Sequence, residues 1–318
     1  MNESHLILGI GELLWDILPE GIRLGGAPAN FAVMAGRLGN RAAILSRIGR
    51  DDLGRKAIDR LAAMPVETGF LEVDAFYETG RVTVNFADDE PIYTIHEPAA
   101  WDFLELSDEW IGLAGRADAI CFGSLAQRNL QTRQTIQTLA AEASATCIRV
   151  FDVNLRSPFY SAEVLAESMG LATVIKMNEA EVPLVLDLLG LTIEEAPATG
   201  EALSTSKYLL AAAGRLLAEF PSLELVAATR GSRGSLLATR DEWDEHPGFA
   251  VKLSDGIGAG DAFTAAITHY MLRGSGLATL NEAGNRWGGW MASQPGAMPA
   301  LPDTVRDAIA AAIERTAG

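Results

Sequence analysis

The stretch SDGIGAGDAFTAAI, Ser254–Ile267, places three glycines and two aspartates directly ahead of an apolar, alanine-rich run. The alanines and the spacing of Phe263, Ile267 and Met271 predict a helix that begins within the stretch. The preceding run GFAVKLS, residues 248–254, is predicted to be a strand, so the glycines lie at a strand-to-helix turn. Glycines let backbone N–H groups approach a ligand closely, and a helix N-terminus presents unpaired N–H donors and the positive end of a dipole. The stretch is therefore predicted to bind a phosphate group.

Asp261 falls at the start of that helix, where the dipole and the nearby donors favour its ionised form. A carboxylate beside an anion site can take a proton from an attacking hydroxyl while N–H groups stabilise a transferred phosphoryl group. The pattern alone also fits a structural role, in which Asp261 complements the first helical turn and the glycines permit a tight bend. The chain has no GxxxxGK[ST] loop, and GIGELL at Gly9 lacks the third glycine of a dinucleotide fingerprint.

Short apolar runs alternate with helical patterns along most of the chain. The runs that predict strands are HLILGI, RAAILSRIG, ADAICFGS, CIRVFDVN, TVIKMN and LELVAATRG, and helical patterns include APANFAVMAGRLGN and YLLAAAGRLLAEF. This alternation predicts βαβ units, and hence an α/β fold with a parallel sheet covered by helices. Ligands of such sheets bind beyond the carboxyl ends of the strands.

The segment GRVTVNFADDEPIYTIHEPAAWDF, residues 80–103, interrupts this alternation. Val82, Val84 and Phe86 alternate ahead of a turn at Asp88–Pro91, which predicts a β-hairpin. Because a lone hairpin is marginally stable, it is expected to pair with LPEGIRLGG and form a small sheet. We expect residues 14–27 and 79–103 to form a lid or a dimer contact, with an edge hairpin of no role as the alternative. No linker divides the chain, so residues 1–318 are expected to form a single domain.

The composition excludes several classes of function. The formal net charge is -17, from 42 acidic and 25 basic residues, so a nucleic acid would be repelled in the absence of a basic patch. The N-terminus lacks a signal-peptide pattern, and no stretch approaches ~18 uncharged apolar residues. We therefore expect a cytoplasmic protein that binds neither nucleic acid nor membrane. The cysteines and histidines have no metal-ligand spacing: Cys121, Cys147, His5, His96, His246 and His269.

Two motifs together resemble the paired signatures of the ribokinase/PfkB-type sugar kinases: GGAPANFAVMAGRLG at 25–39 and DGIGAGDAF at 255–263. Between them, GRDDLG, FDVNLR, KMNEAE and TRGSRG resemble further family elements in the same order. Segments expected to face the sugar, including GELLWDIL, FGSLAQR and YTIHEPAAWDF, are most similar to fructokinases. The resemblance implies a ribokinase-like three-layer α/β/α Rossmann-like body with a small inserted β-sheet lid, ATP as phosphoryl donor, and Mg²⁺.

The resemblance also implies roles for single residues. Asp261 would be the catalytic base, and the backbone of Gly258, Ala259 and Gly260 would form the anion hole. Sugar-binding residues would be Asp16, Gly26, Asn30, Arg156 and Asp261. Nucleotide-binding residues would be Lys176, Asn178, Thr229, Gly231, Gly234, Gly258, Gly260 and Asn285.

Three further assignments carry alternatives. Glu181 is implied to bind Mg²⁺ through water, although Asn178 and Glu181 also match a helix-capping pattern. Trp101 could cover a sugar face or pack in the core. In some relatives the loop at Asp255 helps to hold a monovalent cation; many relatives have two threonines after that aspartate, whereas Gly256 and Ile257 follow here, so a K⁺ site is left open.

The expected function is ATP-dependent transfer of the γ-phosphoryl group to a primary hydroxyl of a sugar, first of all conversion of D-fructose to fructose 6-phosphate. The alternatives are a kinase of the same family for ribose, a nucleoside or a 2-keto-3-deoxy sugar acid, and a non-catalytic sugar or nucleotide sensor. A nicotinamide-dependent oxidoreductase rests only on Gly9-x-Gly11. The expected partners are the sugar and ATP, with a homodimer formed through the lid.

Overall fold

Strands and helices alternate along most of the chain, as the sequence predicts. The computed structural model describes residues 4–19, 21–87, 90–193 and 205–316. Its strands are β1 (Leu6–Ile10), β2 (Leu14–Leu18), β3 (Gly21–Gly25), β4 (Arg41–Gly49), β5 (Leu71–Asp74), β6 (Gly80–Ala87), β7 (Glu90–Ile95), β8 (Ala119–Gly123), β9 (Ile148–Asp152), β10 (Val174–Asn178), β11 (Leu225–Thr229), β12 (Ser235–Ala238) and β13 (Trp243–His246). Its α-helices are α1 (Ala27–Arg37), α2 (Asp52–Leu61), α3 (Asp108–Ala114), α4 (Leu130–Glu142), α5 (Ala162–Leu171), α6 (Glu181–Leu188), α7 (Ser206–Glu219), α8 (Ala259–Met271), α9 (Leu277–Ala292) and α10 (Asp303–Thr316).

The main sheet of the described residues has nine strands in the order β13-β12-β11-β10-β9-β8-β1-β4-β5. The seven strands from β11 to β5 run parallel, and β12 and β13 add an antiparallel edge. The carboxyl ends of β1, β9, β10 and β11 therefore lie along one edge of the sheet. That edge is where a ligand of a parallel α/β sheet is expected.

Helices cover both faces of this sheet. Along β1, Ile7 packs in the apolar cluster that contains α1, α8 and α9, whereas Leu8 and Ile10 pack in the cluster that contains α3 to α7. Every residue of β1 is buried, because a central parallel strand has no face in contact with water. The predicted three-layer α/β/α arrangement is confirmed.

A second, small sheet of the described residues has the order β3-β2-β6-β7. β6 pairs in parallel with β2, and β6 and β7 form the predicted hairpin; Asp88–Asp89 of its turn lie outside the described residues. Trp15 and Leu24 of this sheet pack in one apolar cluster with Ala29 and Val33 of α1. This contact fixes the small sheet beside the start of α1. Its action as a lid and the single-domain assignment stay predictions.

The run GFAVKLS does not form the strand that the sequence predicts. Residues 247–253 have no regular secondary structure. Gly248 has φ +81, a conformation that interrupts a strand. Val251 lies against α9, with its Cγ1 3.5 Å from where a Cβ on Gly289 would be, and the N–H of Ser254 donates to the carbonyl of Ala292 at 2.9 Å. The glycines therefore lie at a loop-to-helix turn.

No helix in the described ranges combines the length and the apolar character needed to cross a membrane. Cys121 and Cys147 are both buried and unbonded to each other.

Candidate active site

Helix α1 carries Asn30 to the start of α8. Gly26 is the N-cap of α1 with φ 110, and a Cβ on Gly26 would lie 2.2 Å from the backbone oxygen of Glu12. Only glycine permits this close approach of two backbones. One turn further, Nδ2 of the buried Asn30 donates a 2.7 Å hydrogen bond to Oδ2 of Asp261. A predicted sugar ligand and the predicted base are thus in direct contact.

The glycine bend, residues 255–260, leads into α8. Gly258 is the N-cap of α8 in the left-handed conformation, with φ 77. A Cβ on Gly258 would lie 2.9 Å from Cα of Ala297, so the bend packs closely on the loop after α9. The N–H of Ala259, one of the predicted anion-hole donors, already donates to the carbonyl oxygen of Gly256 at 3.3 Å. Residues 255–261 are half-buried, so the bend is not sealed beneath other atoms.

Asp261 has the raised pKa that a general base needs. Burial raises the pKa of Asp261 to about 6, the charge of Asp152 adds to the rise, and Lys176, Asn30 and Arg156 oppose it. A carboxyl group with such a pKa is ionised in roughly nine molecules of ten at neutral pH, and it is a stronger base than a surface aspartate. The environment therefore favours proton acceptance near neutral pH.

A buried ion pair lies beside the glycine bend. Nζ of Lys176, on β10, is 3.2 and 3.3 Å from the carboxylate oxygens of Asp152, the last residue of β9. The same Nζ is 2.7 Å from where a Cβ on Gly260 would be. Burial disfavours the charge, but neighbouring carboxylates, Asp152 foremost, raise the pKa of Lys176 above its ordinary value. A full positive charge thus lies beside the predicted anion hole. The sequence analysis missed Asp152, whose only signal was an acid closing an apolar strand.

The charge of Arg156, an exposed residue, lowers the pKa of two further carboxyl groups, those of Asp16 and Glu12. Burial raises the pKa of Asp16, on β2, to about 6, and Arg156 opposes the rise. Glu12, which the sequence analysis also missed, is 3% exposed, and its Oε1 accepts the N–H of Ala27 at 3.1 Å. Burial raises the pKa of Glu12 to about 7, again against Arg156. Arg156 acts on Asp261 as well, so the predicted sugar-binding residues converge.

Asn178 and Glu181 form a capping box at the start of α6. Oδ1 of Asn178 accepts the N–H groups of Ala180 and Glu181 at 3.0 and 3.1 Å. In return, Oε2 of Glu181 accepts the N–H of Asn178 at 2.8 Å, and Oε1 accepts that of Leu155 at 2.9 Å. The structural alternative for this pair is therefore realised. Each carboxylate oxygen keeps a second lone pair, which is compatible with a contact to a hydrated metal ion through water.

Within the described ranges, no cluster of three or more His, Cys, Asp or Glu side chains is arranged to hold a metal ion. Mg²⁺ is usually bound by one or two carboxylates together with substrate phosphates, so the carboxylate of Glu181 fits that ion without a larger ligand cluster.

The predicted nucleotide-binding residues follow the ends of adjacent strands. In the parallel register, Asn178 of β10 lies beside Thr229 of β11. Gly231 and Gly234, with φ of 57 and 80, turn the chain from β11 into β12. These residues continue the row that starts at Lys176, so the structure places all of them at one edge of the sheet.

Asn285 lies at the end of this row and is held by its neighbours. Its Nδ2 donates to Oγ of Ser235 at 2.7 Å and to the carbonyl of Asn281 at 2.8 Å. The side chain thus joins α9 to β12. Its contact with a nucleotide stays a prediction.

The structure bears on two interpretations that the sequence left open. Trp101 is completely buried, with the guanidinium of Arg128 4.0 Å from its ring centroid, so it packs in the core and covers no open site. The Gly9-x-Gly11 pattern serves helix packing, since a Cβ on Gly9 would lie 2.1 Å from the carbonyl oxygen of Pro28. It gives no support to an oxidoreductase.

Comparison with known proteins identifies the family. A model of the pfkB family of carbohydrate kinases matches residues 21–304. The chain belongs to the pfkB family of carbohydrate kinases. This confirms the family that the two sequence signatures resemble. Among curated relatives of this pfkB-family kinase, the fructokinase of Klebsiella pneumoniae is 31% identical over 271 residues, which cover 81% of this chain and 81% of the relative.

Solved structures agree with the fold. An uncharacterized sugar kinase from Pyrococcus horikoshii, in complex with ATP, matches 92% of this chain and 94% of that chain at a TM-score of 0.76 and 27% identity. The fructokinase from Vibrio cholerae O395, in its fructose, ADP and calcium ion bound form, matches 96% of this chain and 99% of that chain at a TM-score of 0.74 and 27% identity. The ribokinase-like fold is confirmed. The roles of individual residues in this pfkB-family kinase stay predictions.

Proposed function

We propose that this pfkB-family kinase transfers the γ-phosphoryl group of ATP to a primary hydroxyl of a sugar, with D-fructose as the first candidate and fructose 6-phosphate as its product. The observation that carries the proposal is the 2.7 Å hydrogen bond from Asn30 to Asp261 beside the half-buried glycine bend. The ATP complex of the Pyrococcus horikoshii kinase and the fructose and ADP complex of the Vibrio cholerae fructokinase support this choice of donor and acceptor.

In the proposed reaction, the acceptor hydroxyl lies against the carboxylate of Asp261. Asp261 takes the hydroxyl proton as the sugar oxygen forms its bond to the γ-phosphorus, and the bond from that phosphorus to the bridging oxygen breaks, leaving its electron pair on ADP. Asn30 orients the carboxylate through its 2.7 Å hydrogen bond. Such orientation matters because a misplacement of about 1 Å can cost about 100-fold in rate.

The charge on the migrating group falls between the glycine bend and Lys176. The first-turn N–H groups of α8, including that of Gly260, have no acceptor within the helix and would point at this charge. Lys176 supplies a full positive charge beside them, held by Asp152 at 3.2 Å. Donors that are fixed before the reaction need no reorganisation, which is the main source of such stabilisation. A bound Mg²⁺, held through water by Glu181, would neutralise further phosphate charge.

Asp16, Asn30 and Arg156 would select the sugar, because a wrong sugar leaves buried hydrogen-bonding groups unpaired. Carboxylate and amide groups suit vicinal hydroxyls, which supports a neutral ketohexose. Arg156 would also pair with the carboxylate of a sugar acid, which makes that acceptor the second candidate.

The test of the base is Asp261→Asn. This change keeps the shape and the contact with Asn30 but removes proton acceptance, so turnover is expected to fall by about 10²–10⁴-fold or more, with the affinity for ATP unchanged. Asp108→Asn is the matched control, since Asp108 lies in the first turn of α3 and is exposed. Near wild-type turnover in Asp261→Asn would remove Asp261 from the mechanism.

The test of the substrate is ADP release over a panel of sugars. D-fructose is expected to give the highest kcat/KM. A decisive preference for ribose, a nucleoside or a 2-keto-3-deoxy sugar acid would overturn the choice of fructose and leave the kinase class intact. Measurable binding of sugar and ATP without turnover on any sugar would identify a sensor instead.

The proposal also places the enzyme in the cytoplasm as a homodimer formed through the small sheet. β3 is an outer strand of that sheet and exposes Ile22, 38% accessible. Light scattering that gives the mass of one chain would contradict the dimer.

A further inference from the structure

Asp255 connects three segments of the chain at the glycine bend. Its Oδ1 accepts the N–H of Ile257 within the bend at 3.0 Å. Its Oδ2 accepts the N–H of Gly296, in the loop after α9, at 2.8 Å, and the same oxygen forms an ion pair with the guanidinium of Arg23. Arg23 belongs to β3 of the small sheet, 232 residues away along the chain.

The bend depends on this carboxylate for its position. Gly256 and Gly258 have φ of +71 and +77, a conformation that favours glycine at both positions, and glycine gives the backbone there more conformational freedom than other residues. Asp255 holds one end of this flexible segment against Gly296, and Gly258 packs on the adjoining Ala297. A charge-assisted bond to backbone N–H needs an ionised acceptor, and the side chain of Asp255 is only 21% exposed. Arg23 supplies a positive charge directly to this partly buried carboxylate.

Arg23 also faces the sugar side of the site. It is the direct partner of Asp16 in the antiparallel register of β2 and β3, and its charge opposes the burial-driven rise in the pKa of Asp16. Side chains at directly opposed positions lie on the same face of a sheet. One guanidinium thus acts on a predicted sugar ligand and on the carboxylate that anchors the bend.

We propose that Arg23 is a positioning residue that serves as the built-in counter-ion of Asp255, so that the phosphate-binding bend needs no monovalent cation. The proposal rests on the proposed function, because the bend is a phosphate site only in that reaction. It also couples the bend to the small sheet, since the counter-ion is carried by β3.

The same contacts argue against a K⁺ site at Asp255. The two oxygens of Asp255 already take two N–H donors and one guanidinium. Gly256 and Ile257 bring no side-chain oxygen that could replace them as ligands. A second cation beside the guanidinium would meet a like charge at close range, which costs free energy in a partly buried place. The cation site left open by the sequence is therefore filled by the protein itself.

The experiment compares wild type, Arg23→Gln, Arg23→Lys and the control Arg41→Gln in buffers containing KCl or choline chloride. Arg41 also pairs with a carboxylate of a distant segment, Glu67, but is exposed, and among the described residues it forms no ion pair with the bend. Wild-type kcat and melting temperature are expected to be equal in the two salts. Arg23→Gln is expected to lose about 10- to 100-fold in kcat in choline chloride, as for a misplaced catalytic group.

Rescue separates a counter-ion from a merely structural residue. Addition of K⁺ or millimolar guanidinium chloride is expected to increase the kcat of Arg23→Gln about tenfold and to raise its melting temperature, since either cation supplies the missing charge. Arg23→Lys should need no rescue, and Arg41→Gln should behave as wild type. The KM for ATP should change less than kcat, because the bend acts on the migrating group.

Wild-type activity that requires K⁺, or a kcat of Arg23→Gln within twofold of wild type in choline chloride, would overturn the inference. If Arg23→Gln does not fold, the wild type and Arg23→Lys still decide whether K⁺ is needed. If the wild type phosphorylates no sugar, the proposed function fails, whereas the melting temperatures in the two salts still test the counter-ion.

Discussion

Substitution of Glu12 by Gln should make the protein more stable at alkaline pH and leave its stability unchanged under mildly acidic conditions. Glu12 is the second residue after β1 and is 3% exposed. Its Oε1 accepts the N–H of Ala27, and its buried Oε2 has no hydrogen-bond partner in the described structure. Burial, reinforced by Asp261, raises the pKa of Glu12 from its ordinary value of 4.5 to about 7. The folded protein therefore binds this proton more tightly than the unfolded chain.

The sign and size of the effect follow from this shift. The protonated group contributes its full stability below pH 4.5, and that contribution is lost as the pH rises through about 7. A rise of about 2.5 in the pKa, at 1.36 kcal/mol for each unit, corresponds to about 3 kcal/mol. Gln keeps an acceptor for Ala27 and cannot ionise. The difference in free energy of unfolding between Glu12→Gln and wild type should therefore be about 3 kcal/mol larger at pH 8 than at pH 4.5, in favour of the variant.

Urea unfolding at pH 4.5, 6 and 8 measures this difference, with Glu142→Gln as the control because Glu142 is exposed at the end of α4. Comparison with wild type at each pH removes the contributions of the other titrating groups. A difference between Glu12→Gln and wild type that stays constant from pH 4.5 to 8 would refute the reasoning. It would mean that water or Arg156 solvates the ionised carboxylate in the folded protein.

Two further predictions concern catalysis. Because burial raises the pKa of Asp261 to about 6 and the base must be ionised, kcat/KM for the sugar should be nearly constant above about pH 7 and fall below about pH 6 with a slope that approaches tenfold per pH unit; a profile that is flat down to pH 5 would contradict the role of Asp261. Gly258→Ala should lose about 100-fold or more in kcat, because its φ is 77 and the new Cβ would lie 2.9 Å from Cα of Ala297. Gly274→Ala is the matched control, with φ +71 and no atom within 4 Å of its Cβ, and it should lose stability by about 1 kcal/mol with kcat unchanged.

The main sheet could be predicted because its strands carry strong local signals. RAAILSRIG corresponds to β4 over its full length, and a continuous apolar run bounded by polar residues is typical of a strand buried on both faces. The hairpin was predicted from alternation, which is equally local. GFAVKLS has the same apolar alternation but pairs with no strand in the part of the chain that the structure describes. Its conformation is decided by Gly248 and by contact with α9, and neither is visible in a pattern of period two.

The candidate site could be predicted in part. The motif residues Asn30, Asp261 and Lys176 do converge, because the first turn of α1 contacts the first turn of α8 and Lys176 of β10 lies beside Gly260. Glu12 and Asp152 were missed because a single acid after a strand has no periodic signal. Their importance arises from burial and from charges contributed by distant segments, as the effect of Asp261 on the pKa of Glu12 shows. The sequence left Trp101 open between a sugar contact and core packing for a related reason, since aromatic residues favour both binding sites and cores.

The net charge of -17 makes local charge balance the central requirement of this site. Glu12, Asp16 and Asp261 all have pKa values raised by burial, and phosphate groups brought beside them would raise the pKa values further, which would protonate the base. The ammonium group of Lys176 is fixed next to Gly260, between the bend and Asp152, where its charge lowers the pKa of Asp261 and would offset phosphate charge in the proposed reaction. A buried lysine is costly without a partner. In the proposed reaction, we therefore expect Asp152 to act without touching the substrate, by keeping that positive charge in place when the nucleotide leaves.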